Sequence, residues 1–253
     1  MIIDLPKDEQ VTELRTLWKE AFGDTDEFLD GFFSRVFSDN RCRCVTVDGK
    51  VAAALYWLEC EYCEKKVAYL YAIATLKEYR GRGLCSALMR DTHSYLTIQG
   101  YALAMLVPAN KELFSFYEKL GYSACTSVSE KTVCASGEKI GFWQIDEERY
   151  GALRRKMLPE GSVIQERENL VLLGMTAELY EGDGILFAAQ RSDGLRIIEL
   201  LGDVSAASNI VNSLGYEKGI VRTAGEDRPF AMCIKLSECK TEIPKYLGLA
   251  FDQ

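Results

Sequence analysis

Histidine is almost absent from this sequence, since His93 is the only one among 253 residues. A catalytic triad built around histidine needs that residue beside its nucleophile, and a His-rich metal site needs several imidazole ligands. His93 falls on a predicted helix, three residues after Arg90, where we expect it at the protein surface. The sequence therefore indicates neither a His-based triad nor a His-rich metal site.

Long apolar runs are absent too, because no stretch reaches the roughly 18 residues that a membrane-spanning helix needs. The opening MIIDLPKDEQ contains acidic residues and lacks the apolar core of a secretory leader. We therefore expect no membrane segment, no leader and a cytoplasmic protein. The nine cysteines fit this expectation, because an odd number in apolar, strand-like surroundings is typical of reduced thiols that pack as small hydrophobes.

Two cysteine pairs, Cys42-x-Cys44 and Cys60-x-x-Cys63, suggest a zinc knuckle by their spacing. If Asp48-Gly49 is a hairpin turn, the two pairs lie more than ~15 Å apart along the strands, at about 3.3 Å per residue. That separation is too long for one shared metal ion. We therefore expect no metal site.

The sequence has fewer basic than acidic residues. It contains 30 Lys and Arg residues and 38 Asp and Glu residues, which gives a net charge of −8. Nucleic acids and anionic membranes usually require a basic surface, so we expect neither as a partner. The acidity favours a cationic small molecule or a basic peptide as partner. An equally good interpretation is that the negative charge merely keeps the protein soluble. With 48% hydrophobic and 27% charged residues, the chain has the composition of one large or two small globular domains.

Apolar periodicity predicts a mixed order of helices and strands in the first half. Two Phe-rich amphipathic helices come first, and their apolar faces suit either core packing or the lining of an acceptor pocket. The elements predicted after them are strands at 41–47, 51–59, 67–75 and 101–107, helices at 84–98 and 111–120, and closing strands up to residue 145. The first three of these strands form an antiparallel meander.

Residues 146–253 read as a smaller second domain that repeats part of the first. Leu214-Gly215-Tyr216 follows a predicted helix just as Leu120-Gly121-Tyr122 does, and a hairpin turn with glycine precedes each. The second half has no glycine loop after its hairpin, so a duplication implies a copy that has lost its anion site. The alternative is that Leu-Gly-aromatic is only a common helix ending.

The first half is organised around the stretch from Leu70 to Met89, LYAIATLKEYRGRGLCSALM. It reads as a strand, the basic glycine loop Arg80-Gly81-Arg82-Gly83 and the start of a helix. This order gathers free backbone N–H groups at a helix N-terminus, which makes an anion site suited to phosphate or pyrophosphate. A ligand can thread between this strand and the next parallel one where they diverge. A nucleotide-binding loop is a further reading, although its Gly-Lys-Ser/Thr ending is absent.

These residues resemble the signatures of the GNAT (GCN5-related) N-acetyltransferase superfamily. The first signature, Arg/Gln-x-x-Gly-x-Gly/Ala, is here Arg80-Gly81-Arg82-Gly83-Leu84-Cys85, with Cys85 where Gly or Ala is usual. The second places an Asn before an aromatic motif, here Asn110 and then Phe116-Tyr117-Glu118-Lys119-Leu120-Gly121-Tyr122. The signatures cover about residues 70–122, and the predicted strand order extends the resemblance over about 1–145.

The resemblance implies an α+β fold. Residues 1–145 would form a GNAT domain with a central mixed, mostly antiparallel sheet flanked by helices. Residues 146–253 would form a smaller, degenerate GNAT-like α/β domain without the pyrophosphate loop. This tandem layout is similar to a trimmed form of the enhanced-intracellular-survival acetyltransferases, whose C-terminal carboxylate serves as a base, a role that would fall here to Gln253.

The resemblance also implies roles for individual residues in holding acetyl-CoA. Main-chain groups of Ile73, Ala74 and Thr75 would pair with the pantetheine arm, and one N–H there would polarise the thioester carbonyl. The pyrophosphate would be held by Arg80, Gly81, Arg82, Gly83, Leu84, Cys85 and Ser86, mainly through backbone N–H groups. Asn110 would contact the cofactor arm. Tyr117 would protonate the departing thiolate as general acid, or would be a core aromatic on the helix.

The sequence thus predicts an acetyl-CoA-dependent N-acetyltransferase that acts on a primary amine of a small molecule or peptide by direct attack. The amine must first lose a proton, and the candidate bases are Glu59, Glu61 or a water held by backbone groups. The alternative is a non-catalytic acyl-CoA-binding or regulatory protein on the same fold.

Overall fold

The computed structural model of the chain describes residues 1–237 and 242–251. These residues form two compact units. The first unit consists of Met1–Ser123 and the later segment that begins at Met232, and the second consists of Ala124–Ala231 and Ile243–Phe251. Gln253, a candidate base by resemblance, lies outside the described residues.

Both units contain strands and helices. The strands in chain order are β1 (Ile2–Asp4), β2 (Cys42–Val47), β3 (Lys50–Tyr62), β4 (Lys65–Thr75), β5 (Leu103–Leu106), β6 (Ser123–Ala124), β7 (Ser127–Cys134), β8 (Phe142–Gln144), β9 (Ile164–Gln165), β10 (Glu178–Gly182), β11 (Ile185–Gln190), β12 (Leu195–Gly202), β13 (Lys218–Ala224), β14 (Arg228–Pro229) and β15 (Met232–Lys235). The helices are α1 (Val11–Phe22), α2 (Asp26–Arg35), α3 (Leu84–Ile98), α4 (Lys111–Glu118), α5 (Glu147–Met157), α6 (Glu168–Thr176) and α7 (Ala207–Ser213).

The first unit is built on a mixed sheet that contains the strand order β1-β2-β3-β4-β5-β15. Neighbouring strands are antiparallel except for β4 and β5, which run parallel. The helix α3 lies between these two strands in the chain, as a parallel pair requires. The predicted antiparallel meander of β2, β3 and β4 is confirmed, and its first turn lies at Asp48 and Gly49.

Strand β15 joins this sheet from far along the chain. Its register pairs Met232 with Leu106 and Lys235 with Leu103, so it covers one edge of β5. The predicted domain boundary assigns this segment to the second domain instead. The pairing has a physical reason, because all four residues of β5 are buried and a buried strand needs hydrogen-bond partners along both of its edges.

The second unit is built on another mixed sheet, in the order β14-β7-β13-β12-β11-β10-β8. Here β12 and β13 are the parallel neighbours, and α7 lies between them in the chain as α3 lies between β4 and β5. Strand β12 ends at Gly202, and Asp203 leads directly into a turn of 3-10 helix (Val204–Ala206) and then into α7. The unit therefore has the same kind of parallel pair as the first, with a shorter connection.

The two units divide at a different residue from the predicted domains. The prediction separates 1–145 from 146–253, whereas the compact units separate at Ser123. Strand β7 accounts for the difference, because it pairs with β13 from Val128↔Ala224 to Cys134↔Lys218. Strands β7 and β8 therefore lie in the second sheet.

The faces of the first sheet are covered by helices. Trp18 of α1 and Phe32 of α2 pack together with Tyr56 and Tyr71 of the sheet, and the Trp18 ring lies 4.5 to 5.4 Å from the other three ring centroids. All four side chains are buried, so this part of the Phe-rich helices forms core. Within the described ranges, no helix is long and apolar enough to cross a membrane.

Candidate functional site

Strands β4 and β5 pair only over their first residues. Their register runs from Val67↔Leu103 to Tyr69↔Met105, and β5 ends at Leu106. Strand β4 continues to Thr75, and the described pairings give this last part no partner on the β5 side. Its backbone N–H and C=O groups on that side can therefore bind an extended ligand, at the point where two parallel strands separate.

A β-bulge lies in this same part of β4. The register with β3 shifts between Ala54↔Ala74 and Tyr56↔Tyr71, and Ala72 has a positive φ of 49°. An extra residue reverses the alternation of side chains beyond it. Ile73 consequently packs in the same cluster as Leu70, which a regular strand would place on the opposite face. The sequence does not predict this bulge, because nothing in the strand's composition distinguishes Ala72 from its neighbours.

The predicted loop follows β4 after a turn of 3-10 helix at Lys77–Tyr79. Arg80 Nε donates a hydrogen bond of 3.0 Å to the carbonyl of Thr75. Arg82 donates one of 2.9 Å to the carbonyl of Glu78 and lies over the Tyr79 ring, 5.1 Å from its centroid. Both guanidinium groups therefore hold the loop in place and contribute positive charge beside it.

The glycines of the loop allow its conformation. Gly81 and Gly83 have φ values of 75° and 76°, in the left-handed region that residues with a Cβ seldom adopt. A Cβ at either position would meet no atom within 4 Å, so the requirement is one of backbone conformation and not of space. Gly83 leads straight into α3, and the first helical hydrogen bond runs from Ala87 N to Gly83 O.

Helix α3 begins with donors that no helical carbonyl can satisfy. The N–H groups of Leu84, Cys85 and Ser86 precede that first helical bond, and Gly83 offers no side-chain cap. Such N–H groups carry the positive end of the helix dipole and favour an anion. Burial raises the pKa of the Cys85 thiol to about 11, so this departure from the family signature adds no negative charge at neutral pH.

Thr75 provides an independent test of whether an acetyl-CoA arm fits here. Its hydroxyl oxygen is buried and has no hydrogen-bond partner among the described residues. Thr75 lies at the end of β4, between the open strand edge and the loop. A buried hydroxyl without a partner costs free energy. A ligand with amide and hydroxyl groups, such as the pantetheine arm, suits this position.

Asn110 has a structural role in addition to its predicted one. It is the N-cap of α4, and its Oδ1 accepts a hydrogen bond of 3.1 Å from Leu113 N. The cap fixes the side chain at the start of the helix. Its Nδ2 group is then the donor that remains for a ligand.

Tyr117 lies on the buried side of α4, with 7% of its surface exposed. Its ring makes edge-on contacts with Phe116 and Tyr122, at centroid distances of 5.2 and 5.8 Å. The hydroxyl of Tyr122 lies 2.8 Å from Nε2 of His93. The sequence predicts His93 at the surface, but it is half-buried and belongs to the surroundings of Tyr117. Burial lowers the pKa of His93 to about 4.

The carboxylates predicted as bases lie at the other end of β4. Glu59 and Glu61 are paired in register with Ala68 and Lys66, and Ala68 is roughly 23 Å along the strand from Thr75. Glu59 also accepts a hydrogen bond of 2.9 Å from the Tyr101 hydroxyl. The structure therefore does not bring these carboxylates to the loop. Across residues 1–237 and 242–251, no cluster of three or more His, Cys, Asp or Glu residues is arranged to hold a metal ion.

The first half of the chain matches a known family. Residues 3–125 match the family model of an acetyltransferase (GNAT) domain. This range contains the open edge of β4, the glycine loop, Asn110 and Tyr117. No curated protein sequence matches the chain.

Solved acetyltransferase structures are similar to nearly the whole chain. A GCN5-related N-acetyltransferase from Anabaena variabilis has 18% identity and a TM-score of 0.72, over 94% of this chain and 74% of that one. Another from Kribbella flavida has 16% identity and a TM-score of 0.68, over 93% and 72%. Eis1 from Mycobacterium abscessus has 13% identity and a TM-score of 0.67, over 94% and 74%. At these identities the likeness shows a shared fold.

Proposed function

Residues 3–125 belong to the GNAT superfamily of acetyltransferases, and we propose that this chain transfers an acetyl group from acetyl-CoA to a primary amine of a small molecule or peptide. The observation that carries the proposal is the open edge of β4, which leads into a left-handed glycine loop and a helix N-terminus. The edge suits an extended arm with amide groups, and the loop suits the pyrophosphate attached to it. We place the reaction in the cytoplasm, where buried thiols such as Cys42 and Cys44 stay reduced.

We assign the binding of acetyl-CoA mainly to backbone groups. The main chain of Ile73, Ala74 and Thr75 would pair with the pantetheine arm as a further strand would. The N–H groups of the loop and of the start of α3, from Arg80 to Ser86, would hold the pyrophosphate with help from the helix dipole. Nδ2 of Asn110 would donate to the arm.

We assign the proton transfer at the leaving group to Tyr117. Acetyl-CoA, when bound, supplies an activated thioester. The Tyr117 hydroxyl would give its proton to the departing sulfur, and the contacts with Phe116 and Tyr122 would hold the ring in one orientation. The amine must attack as the free base. We assign its deprotonation to water held by backbone groups, because Glu59 and Glu61 lie at the far end of β4.

We also propose that the second unit is a degenerate copy of the first. Its parallel pair, β12 and β13, is connected through α7 as β4 and β5 are connected through α3. Its connection passes from Asp203 into a short helical turn and contains no basic glycine loop. The chain would then have one acetyl-CoA site, in the first unit.

The variant Tyr117→Phe tests the catalytic assignment. We expect kcat to fall by about 100- to 10,000-fold, the usual contribution of a general acid, while CoA binding is retained. Thiol release from acetyl-CoA with a broad panel of amines measures the first quantity, and calorimetric titration with CoA measures the second. The matched control is Tyr101→Phe, which removes a buried hydroxyl elsewhere in the same unit and should leave kcat unchanged.

Two outcomes would contradict the proposal at different levels. If Tyr117→Phe retains the wild-type rate, Tyr117 is a core aromatic and another group protonates the thiolate. If the wild-type protein binds CoA but releases no thiol with any amine in the panel, the chain is instead a non-catalytic acyl-CoA-binding or regulatory protein.

A further inference from the structure

The second unit contains a cavity of about 600 Å³ beside its edge strand β8. Its walls come from β8, from α5 and from the turn between β10 and β11. All of its lining residues belong to the second unit, and none belongs to the residues assigned above to acetyl-CoA. The volume falls within the range of small-molecule binding sites.

Trp143 gives this cavity an aromatic wall. The preceding residue, Phe142, points into the core, where its ring lies 5.3 Å from Tyr180 and 5.1 Å from Phe187. Because side chains alternate along a strand, Trp143 points to the opposite face. Its surface is 57% exposed, whereas Trp18 and Trp57 are each 2% exposed. An indole ring left this exposed beside a cavity offers its face to a ligand.

The charge beside Trp143 is negative. Trp143 is paired in register with Glu181, so the two side chains are neighbours on one face. Arg149 binds the Glu181 carboxylate with two hydrogen bonds of 2.9 and 2.7 Å, which lower its pKa. Glu181 and Arg149 thus neutralise each other. Asp183, in the turn that lines the cavity, has no ion pair or hydrogen bond among the described residues and leaves one negative charge.

The remaining wall is apolar. Leu153 and Met157 lie one turn apart on α5 and line the cavity on the face opposite the Phe142 core. Methionine adapts its shape to different apolar surfaces. A ligand for this site therefore needs an apolar body as well as a group that suits an exposed indole and a carboxylate.

We propose that this cavity binds an organic cation, namely an alkyl- or arylammonium compound. The ammonium group lies against the Trp143 ring, whose π face attracts cations, and within reach of the Asp183 carboxylate. The hydrocarbon part covers Leu153 and Met157. Anions are disfavoured by the net negative charge. The site is independent of acetyl transfer, so it stands whether or not the first unit is catalytic.

The fluorescence of Trp143 provides a direct test in the full-length protein. Because Trp18 and Trp57 are buried, they contribute a constant background. We expect saturable quenching by benzyltrimethylammonium and at least about tenfold weaker binding of phenylacetate, which carries the opposite charge on the same ring. Asp183→Asn should weaken binding of the cation about fivefold, in line with an ion pair at the protein surface. Trp143→Leu, followed by calorimetry, should weaken it more than about tenfold.

The matched control is Asp193→Asn. Asp193 is an exposed acid in the turn between β11 and β12 of the same unit, and it does not line the cavity. This variant should bind the cation as the wild type does, and circular dichroism should show the same fold for all variants. Equal binding of phenylacetate, no saturable response to the cation, or equal weakening by Asp183→Asn and Asp193→Asn would overturn the proposal.

Discussion

His93 is a neutral histidine whose surroundings keep it so. Its ring is half-buried in α3, its Nε2 lies 2.8 Å from the Tyr122 hydroxyl, and burial lowers its pKa to about 4. The sequence predicts a surface position for it, because helical spacing shows which face a residue lies on but not what comes to cover that face. Here the cover is Tyr122, which follows 29 residues later. Contacts at that separation leave no local pattern in the sequence.

The lowered pKa of His93 makes the stability of the protein depend on pH. The unfolded chain binds the proton near pH 6.5 and the folded chain only near pH 4, so the stabilisation is complete above pH 6.5 and is lost as the pH falls toward 4. At pH 4.5 the loss from this group is about 2–3 kcal/mol. Urea unfolding of the wild type and of His93→Gln at pH 7 and 4.5 measures it. The carboxylate titrations are common to both proteins, so equal losses would show that His93 is not the group responsible.

At the scale of elements, local signals predict the candidate site, whereas contacts between residues distant in the chain leave no local signal. The glycine loop, the start of α3 and the spacing from Asn110 to Tyr117 are all encoded within a short stretch, so residue types alone place them. The bulge at Ala72 was not predictable, because it arises from the register between two strands. Residues 243–251 have no clear sequence pattern for a similar reason, since their partners are distant in the chain.

The segment of residues 243–251 is held by a buried ion pair in the second unit. Arg154 and Glu199 are 1% and 0% exposed, and Arg154 Nε lies 2.8 Å from Glu199 Oε2. The hydroxyls of Tyr150 and Tyr246 donate to Glu199 at 2.9 and 3.2 Å, and the carbonyl of Leu247 accepts from Arg154 at 3.3 Å. These contacts supply the partners that two buried charges need. The segment is therefore part of the core of the second unit.

Gly248 allows this segment to approach the ion pair, and we expect its replacement by alanine to be costly. Its φ is 83°, and a Cβ there would overlap Glu199 Oε1 and Arg154 Nη2. Gly215 is a matched control in the same unit, because its φ is 81° and a Cβ there would meet no atom within 4 Å. Gly215→Ala should cost about 1–2 kcal/mol of left-handed strain. Gly248→Ala should cost about 3–5 kcal/mol more, because it breaks a buried pair. Urea unfolding measures both, and equal losses would contradict the role given to the ion pair.

At the scale of the whole molecule, chain order and spatial order differ. Each unit is assembled from two separate parts of the chain. The predicted division at residue 145 assumes that each domain is one continuous stretch of chain. That assumption holds only where elements adjacent in the sequence also pair with each other. It could not anticipate that β7 pairs with β13 or that β15 pairs with β5, because both pairings bridge long separations. The parallel pair β4 and β5 was predictable, because one helix connects them directly.

This assembly predicts that the first unit does not fold from a continuous fragment. A fragment of residues 1–145 lacks β15, so one edge of β5 would expose backbone groups and residues that are otherwise at most 1% exposed, such as Leu103 and Leu106. It also carries β7 without its partner β13. Exposed apolar strand edges promote aggregation, so we expect this fragment to be insoluble or oligomeric in size-exclusion chromatography.

The control fragment joins residues 1–123 to 232–237 through a flexible glycine–serine linker. It restores β15 beside β5 and should be monomeric, with cooperative unfolding and retained CoA binding. A monomeric, cooperatively unfolding 1–145 fragment would show that β15 is dispensable for the first sheet.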